Sequence, residues 1–491
     1  MHHLIIPNTQ FHLISEKPSG VAWGRRGLAG LALLTLLAAP LCAQPDQAVQ
    51  DAIYADALAD PAGHAFLTRL CDDFGGRLTG SPANWSALER TVAELKALGI
   101  EARLEKFKMP GWIREQDEVT LLAPLRRPLR AVAFSYTQPH APFEADVVDL
   151  GEGREEDLAK LVSPQGKIGL LAPNTTVPRG QYEAAAVKHG LRGILWINRV
   201  AGGQLLARTG SFKGEPMQIP LYNITQEEGN WLLRLVQRGQ IVRVRLHTRS
   251  HCEEIETANI VATFPGRTAD TVVVGAHFDS WDLGQGAMDN GTGTAQVFAL
   301  AKVLQTRAPR NERTIELVWF NGEEQGLWGS RVHAPTLRGR PVTAMINLDM
   351  VGFPLSVNSL GYDDLLPLLE RYNTSLGEHK LKQGVGNINW FGSDHTPYQL
   401  EGIRAITFGG LIPPESVRYY HDLADTIDKV DPKLIPEATA AIAALVYRLA
   451  NEPGLPTDRM AAADTEALFK KFALETRMRS VGLWPFAEPK P

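Results

Sequence analysis

Cysteine is scarce in this chain, because only Cys42, Cys71 and Cys252 occur among its 491 residues. No two of them have the close spacing that cysteine-based zinc sites use, which excludes a structural zinc module of that kind. If Cys42 is removed with a leader segment, the other two either pair in an oxidising compartment or remain small apolar side chains. The sequence leaves both options open.

The chain also lacks a strong net charge, internal repeats and long low-complexity stretches. Its formal net charge of −5 argues against a nucleic-acid partner. The absence of a repeat excludes a solenoid. The length of 491 residues and an apolar content of 44% are instead typical of a protein with more than one domain and sizeable cores.

The N-terminal apolar run Gly27–Leu41 is shorter than the ~20 residues that a membrane-spanning helix needs. It follows Arg25-Arg26 and precedes Cys42-Ala43-Gln44, which is the order of a signal peptide with its cleavage site. We therefore predict a signal peptide over 1–43, export to the periplasm or the extracellular space, and no stable membrane anchor. Twin-arginine and ordinary secretory export both remain open. Leu41 stands directly before Cys42, where a lipoprotein signal needs a small residue, and therefore disfavours a lipoprotein.

A histidine and two aspartates follow an apolar segment, Thr271–Ala276. Such a segment is typical of a strand covered by helices on both faces, and ligands collect at the carboxyl ends of these strands. His277 and Asp279 point the same way from an extended chain, so the carboxylate is expected to orient a metal-binding imidazole. Asp289 follows after a glycine-rich turn. Because such a pair alone is more often structural, a metal site needs further ligands.

Three more apolar segments lead into residues that bind metals. They are Ile315–Phe320 before Glu323-Glu324, Ala344–Leu348 before Asp349, and Arg404–Phe408 before the loop with Tyr420-His421 and Asp425. Adjacent carboxylates repel each other unless a cation or a shared proton relieves them; a solvated acidic turn is the alternative. Each segment alone has a structural explanation, but four together predict a metal site.

Two imidazoles and three carboxylates form the candidate ligand set, which suits zinc at a catalytic site. They are His277, Asp289, Glu324, Asp349 and His421. Two zinc ions carry about +4, which three carboxylates reduce to about +1 for a bridging hydroxide to neutralise, whereas one ion would be over-neutralised. We therefore predict two Zn²⁺ per chain, held roughly 3.5–4 Å apart by a shared carboxylate.

Four segments around these residues resemble the co-catalytic zinc peptidases, a family that includes aminopeptidases and glutamate carboxypeptidases. They read HFDSWDLGQGAMDNGTG (277–293), NGEEQGLWGS (321–330), NLDMVG (347–352) and YHDLADTID (420–428). GGRLTGSPANWSALE (75–89) and MPGWIREQDEVTLLAP (109–124) resemble the glutamate carboxypeptidase branch, whereas NLDMVG is more typical of the aminopeptidase branch. The resemblance extends over about residues 48–451.

The resemblance implies a role for each site residue. The metal ligands divide into a bridging Asp289, a pair on one ion (His277 and Asp349) and a pair on the other (Glu324 and His421). Glu323 becomes the general base, which takes a proton from the bridging water and returns it to the leaving amine after hydroxide attack. Asp279 orients His277, and Tyr420 stabilises the oxyanion.

An α/β fold follows from the resemblance: a mostly parallel-centred mixed sheet flanked by helices, as in zinc exopeptidases of the phosphorylase/hydrolase-like fold. The catalytic domain is expected at 46–125 and 251–453, with a C-terminal helix and tail at 454–491. Between its two parts, 126–250 contains short strand-like runs, and AAAVKHGLRGILWIN (184–198) resembles the β-rich protease-associated domain. An independent carbohydrate- or peptide-binding module is the alternative for this insert.

Helical spacing adds three predictions at the edges of the catalytic domain. Ser81-Pro82 caps a helix that Gly99 ends, Pro436–Ala450 forms the last main helix, and Asp464–Arg477 forms one amphipathic helix.

The sequence thus predicts an exported metallo-exopeptidase that hydrolyses dipeptides or short peptides with a free terminus. An aminopeptidase acting on longer peptides and a non-catalytic binding protein on the same fold are the alternatives; the complete ligand set and Glu323 favour catalysis. No residue decides which peptide terminus is recognised. Gly392–Pro397 resembles a family loop beside the substrate pocket, so Asp394 and His395 are pocket candidates, with a structural role as the alternative. A peptide substrate is the expected partner, and a homodimer is open.

Overall fold

Two eight-stranded mixed sheets with flanking helices make up the fold, seen in a computed structural model that describes residues 45–486. The strands are β1 (Ala102–Ile113), β2 (Asp117–Ala123), β3 (Arg127–Leu129), β4 (Ala131–Ala133), β5 (His140–Asp149), β6 (Ile168–Leu171), β7 (Gly193–Ile197), β8 (Leu221–Ile224), β9 (Arg243–Thr248), β10 (His251–Phe264), β11 (Thr271–His277), β12 (Thr314–Phe320), β13 (Val342–Asn347), β14 (Phe353–Asn358), β15 (Gly384–Gly386) and β16 (Ala405–Leu411). The predicted signal peptide, 1–43, lies outside the described residues.

The α-helices lie before, between and after these strands. They are α1 (Gln47–Ala59), α2 (Ala62–Phe74), α3 (Pro82–Ala97), α4 (Glu155–Leu158), α5 (Arg179–Lys188), α6 (Gln226–Gln237), α7 (Thr292–Arg307), α8 (Trp328–Thr336), α9 (Leu366–Ser375), α10 (His395–Leu400), α11 (Pro414–Val417), α12 (Leu434–Asn451), α13 (Ala462–Lys471) and α14 (Glu475–Ser480). Short helical turns occur at Ala287–Gly291, Asp363–Leu365, Gly377–His379 and Ile427–Lys429. Within 45–486, none of the helices has the length and apolarity to span a bilayer.

The first sheet has the order β1-β10-β12-β11-β13-β16-β14-β15, and its four central strands, β12, β11, β13 and β16, run parallel. β11 is buried along its whole length because α7 and α12 cover one face and α8 and α10 cover the other. The predicted mixed sheet with a parallel centre is confirmed. All four central strands end at the same edge of the sheet, which brings their carboxyl-terminal loops together.

The second sheet has the order β3-β2-β9-β5-β6-β7-β8-β4 and its own hydrophobic core. It begins with β2 at Asp117, so the domain boundary predicted at 126 is too late. The physical reason is the alternating pattern of β2, which buries Val119 and Leu121 and pairs Val119 with Leu246 of β9. The likeness of this unit to a protease-associated domain stays a prediction.

The helices that border the catalytic sheet largely follow their sequence signals. The Ser81 hydroxyl accepts a hydrogen bond from the Asn84 N–H at 3.1 Å and so caps α3. The single helix predicted over 464–477 is wrong, because Ala473 has a φ of +55° and separates α13 from α14. Cys71 and Cys252 are both free thiols, and Cys71 is buried.

Candidate metal centre

The predicted ligands meet at the carboxyl edge of the first sheet. His277 is the last residue of β11, Glu324 follows β12 after a tight turn, Asp349 follows β13, and His421 lies in the loop after β16. Asp289 lies in the short helical turn Ala287–Gly291, just before α7. Each ligand therefore depends on a different strand or loop, and the parallel centre of the sheet is what assembles them.

Asp289 lies between the two histidines. Its Oδ1 is 3.3 Å from Nε2 of His277, and its Oδ2 is 2.8 Å from Nε2 of His421. The His277 Nε2 is also 3.6 Å from Oδ1 of Asp349, and the His421 Nε2 is 3.1 Å from Oε2 of Glu324. The result is two groups of three ligand atoms, each group within a span of 4.8 Å, that share one carboxylate.

More carboxylates than imidazoles lie around these atoms, and their charges and burial shift the pKa values of the site residues. Burial raises the pKa of Glu323 well above its usual range, and the charges of Asp349 and Glu324 add to this effect. Burial also raises the pKa of Glu324 to about 7. Although burial lowers the pKa of His421, Glu324 and Asp289 raise it to about 9. Such mutual repulsion is relieved when a divalent cation replaces the protons.

The donor set fits zinc. Imidazole nitrogens and carboxylate oxygens are its usual ligands at catalytic sites. Oε1 of Glu324 is buried and has no hydrogen-bond partner among the described residues, which leaves it available to a cation. Both imidazoles have Nδ1 engaged with a main-chain carbonyl, of Asp279 at 3.0 Å and of Ala207 at 2.8 Å, so each ring points Nε2 at the carboxylates.

Asp279 makes hydrogen bonds to His277, at the end of β11, and to residues of the loop after β12. Its main-chain carbonyl, and not the expected carboxylate, makes the close contact with the His277 imidazole; Oδ1 lies 3.7 Å away. The carboxylate instead accepts hydrogen bonds from the Thr79 hydroxyl at 2.8 Å and from the N–H groups of Glu323 and Glu324 at 3.2 and 3.3 Å. Asp279 thereby ties the loop after β12 to the loop after β11.

Two buried side chains support the loop of Asp289: Arg77, to which the sequence assigned no role, and Asp425, which it named only as a residue able to bind metals. The Arg77 guanidinium donates to the main-chain carbonyls of Gly75, Phe278, Gln285 and Gly286 at 2.6–3.1 Å. The Asp425 carboxylate accepts from the N–H groups of Met288 and Asp289 at 2.8 and 3.1 Å. Both residues lie in segments with family resemblance, but their partners are main-chain groups, which leave no side-chain pattern in a sequence.

Ser393 is a third buried residue that supports the site, because it holds the candidate ligand Asp349. Its hydroxyl donates to Oδ2 of Asp349 at 2.6 Å and accepts from the Asn347 amide at 2.8 Å.

We expect Ser393→Ala to weaken metal binding by roughly 10–100-fold while the fold is kept, as is typical when the partner of a metal ligand is removed. Competition with a chromophoric chelator measures this affinity. Ser359→Ala is the control, because it removes the hydroxyl of another fully buried serine, which follows β14 and donates to the Asn387 side chain. Equal affinities for the two variants would mean that the Ser393 hydroxyl does not hold Asp349.

The remaining predicted site residues lie around the ligands. The Tyr420 ring stacks on the His421 imidazole with a centroid distance of 3.6 Å, and burial raises its pKa well above the usual range, so its hydroxyl stays a donor. Asp394 and His395 are each 0% exposed. Burial raises the pKa of Asp394 to about 7 and lowers that of His395 to about 4. Neither side chain is open to solvent, and their assignment as pocket residues stays a prediction.

Comparison with known proteins places this centre in a family. Residues 259–446, which contain all five ligands and Glu323, match peptidase family M28. This part of the chain belongs to that family, and the protein is a zinc-dependent peptidase.

Two relatives and one solved structure span most of the chain. It is 27% identical to carboxypeptidase Q of Bos taurus over 78% of this chain and 84% of that protein. It is 25% identical to aminopeptidase YwaD of Bacillus subtilis (strain 168), over 80% and 86%. The structure of BSAP, a zinc aminopeptidase from Bacillus subtilis, superposes with a TM-score of 0.65 at 22% identity and covers 82% of this chain and 97% of that one. The last of these supports the fold alone.

Proposed function

We propose that this M28 peptidase is an exported exopeptidase that hydrolyses dipeptides or short peptides with a free terminus. The observation that carries the proposal is Asp289, with one oxygen towards each histidine, together with Glu323, a half-buried carboxylate next to the candidate ligand Glu324 whose pKa responds to the charges of His277 and Asp349. His277 and Asp349 are the proposed ligands of one zinc ion, and Glu324 and His421 those of the other. This arrangement is suited to peptide-bond hydrolysis and not to storage of a single structural ion.

The two zinc ions, when bound, polarise the scissile carbonyl and lower the pKa of water. The protein's own groups then move the proton. Glu323 is proposed to accept it from the attacking water and to donate it to the leaving amine. The neutral Tyr420 hydroxyl, stacked beside His421, is proposed to donate a hydrogen bond to the oxyanion that develops on the carbonyl oxygen.

The two relatives favour different answers to which terminus of the peptide the enzyme recognises. The similarity to carboxypeptidase Q favours recognition of a free carboxylate, whereas the similarity to aminopeptidase YwaD favours a free amine and, as the alternative function, cleavage of longer peptides from the amino end. Both enzymes are less than a third identical to this chain, and one metal centre serves either choice.

The proposal also includes export of the enzyme and a role for the second-sheet unit at the substrate site. The arginine pair and apolar run before residue 44 support an exported enzyme. We propose that the second-sheet unit is a protease-associated-like domain that forms a wall of the substrate site, because its residues 205–207 reach the loop of His421. A peptide is the proposed partner.

The purified enzyme with about two zinc ions per chain is expected to cleave a free dipeptide. Comparison with its N-acetylated and C-amidated forms decides the terminus. A loss of cleavage on acetylation alone identifies an aminopeptidase, on amidation alone a carboxypeptidase, and on either change a dipeptidase. If zinc binds but none of the three peptides nor a longer unblocked peptide is cleaved, the non-catalytic alternative replaces the proposal.

A further inference from the structure

The loop that carries His421 packs directly on the second sheet. The Ala207 N–H donates to the His421 carbonyl at 3.1 Å, and the Ala207 carbonyl accepts from Nδ1 of the His421 imidazole at 2.8 Å. Tyr420 packs against the hydrophobic core of the second sheet. The partner that orients this imidazole therefore comes from outside the catalytic sheet.

Residues 205–207 are themselves held from both sides. The Leu206 N–H donates to Oδ1 of Asn223, a fully buried residue of β8, at 2.8 Å. The Leu205 N–H donates to Oδ2 of Asp422 at 2.7 Å, and Oδ1 of Asp422 accepts from the Ala424 N–H at 3.1 Å. Asp422 is only 4% exposed, so this carboxylate is a buried link between the two sheets' loops.

His421 needs external support more than the other ligands do. Its φ is +58°, a left-handed conformation that a non-glycine residue holds only when its surroundings favour it. His277, by contrast, is the last residue of a buried strand, and its ladder partners hold its main chain. The main chain of His277 is therefore held by its own sheet, whereas that of His421 depends on contacts outside the sheet. Both rings nevertheless face the carboxylate of Asp289.

We propose that Asp422 is a positioning residue for the zinc ligand His421, which acts by holding residues 205–207 of the second-sheet unit against that imidazole. The inference rests on the ligand assignment proposed above. It makes the second-sheet unit part of the metal site and not only a wall or lid. Outward movement of this unit breaks the Nδ1 bond of His421, so the unit is expected to stay in place during turnover.

The test is Asp422→Ala, with zinc content and affinity as readouts. Removal of both carboxylate oxygens frees the Leu205 N–H, and we expect one of the two zinc ions to bind roughly 10–100-fold more weakly, as when the partner of a metal ligand is removed. The second ion, on the side of His277, is expected to keep nearly native affinity. Asp422→Asn retains one acceptor oxygen, and an intermediate loss is expected; it serves as the decisive variant if Asp422→Ala does not fold.

Arg418→Ala is the matched control. Arg418 lies in the same loop and reaches the same second-sheet unit, but its guanidinium donates to the Ala201 carbonyl at 2.8 Å and not to residues 205–207. Native zinc affinity in this control, with a loss in the Asp422 variants, supports the proposal. Native affinity in folded Asp422→Ala and Asp422→Asn, or an equal loss in Arg418→Ala, overturns it.

The variant His421→Ala distinguishes a failure of the ligand assignment from a failure of the positioning role of Asp422. If this variant loses one zinc ion while Asp422→Ala and Asp422→Asn keep both, the ligand assignment stands and only the positioning role fails. If His421→Ala itself keeps both ions at native affinity, the ligand assignment fails, and the positioning role fails with it.

Discussion

Glu323→Gln is expected to lower kcat by roughly 10²–10⁴-fold while zinc content and fold remain native. The amide has nearly the shape of the carboxylate but cannot accept and return a proton. The main-chain bonds of this residue are unaffected, since its N–H donates to Asp279 and its carbonyl accepts from Gly326 and Leu327. Metal analysis, circular dichroism and steady-state kinetics on one preparation measure all three quantities.

Glu324→Gln is the control for this experiment, because it makes the same chemical change one residue away. Oε2 of Glu324 faces the His421 imidazole and Oε1 is a buried candidate ligand atom, so this variant is expected to lose zinc as well as activity. The contrast between the two glutamines distinguishes a base from a ligand. Near-native turnover in Glu323→Gln would remove Glu323 from the role of base.

The catalytic sheet was predictable because each strand carries its own signal. β11, β12, β13 and β16 are short apolar segments followed by polar side chains, and parallel strands bring their carboxyl ends to one edge whatever else the chain does. The residues of the two candidate ligand groups were therefore identifiable from the sequence. Their division between two ions came from family resemblance and stays a prediction; the two groups of candidate ligand atoms share Asp289.

What escaped prediction are contacts made through the main chain. Arg77, Asp279 and Asp425 hold the metal loops by hydrogen bonds to carbonyl and N–H groups, which every residue has and no sequence pattern marks. The start of the second sheet was missed for a related reason. Asp117–Ala123 was placed in the first part of the catalytic domain, 46–125, whereas its longest strand pairing is with β9, which lies more than a hundred residues later.

Asp289→Ala is expected to reduce zinc from about two ions per chain to nearly none and to abolish measurable peptide cleavage. Oδ1 and Oδ2 of Asp289 lie 3.3 Å and 2.8 Å from the two histidine Nε2 atoms, and within residues 45–486 Asp289 alone belongs to both ligand groups. Its removal takes a ligand from each ion at once. It also leaves His277 and His421 with fewer compensating charges, which further weakens cation binding.

The zinc content of the two single histidine variants tests whether Asp289 is shared by both ions. His277→Ala and His421→Ala each remove a ligand from one ion, and each is expected to lose metal and activity but to retain part of the zinc that Asp289→Ala loses. Because bound metal stabilises the folded state by mass action, a chelator should lower the Tm of the native enzyme and leave the Tm of Asp289→Ala nearly unchanged. Native zinc content in Asp289→Ala would show that Asp289 does not bridge the ions. Equal and complete loss in all three variants would instead mean that the two ions bind only as a pair, which the shared carboxylate also permits.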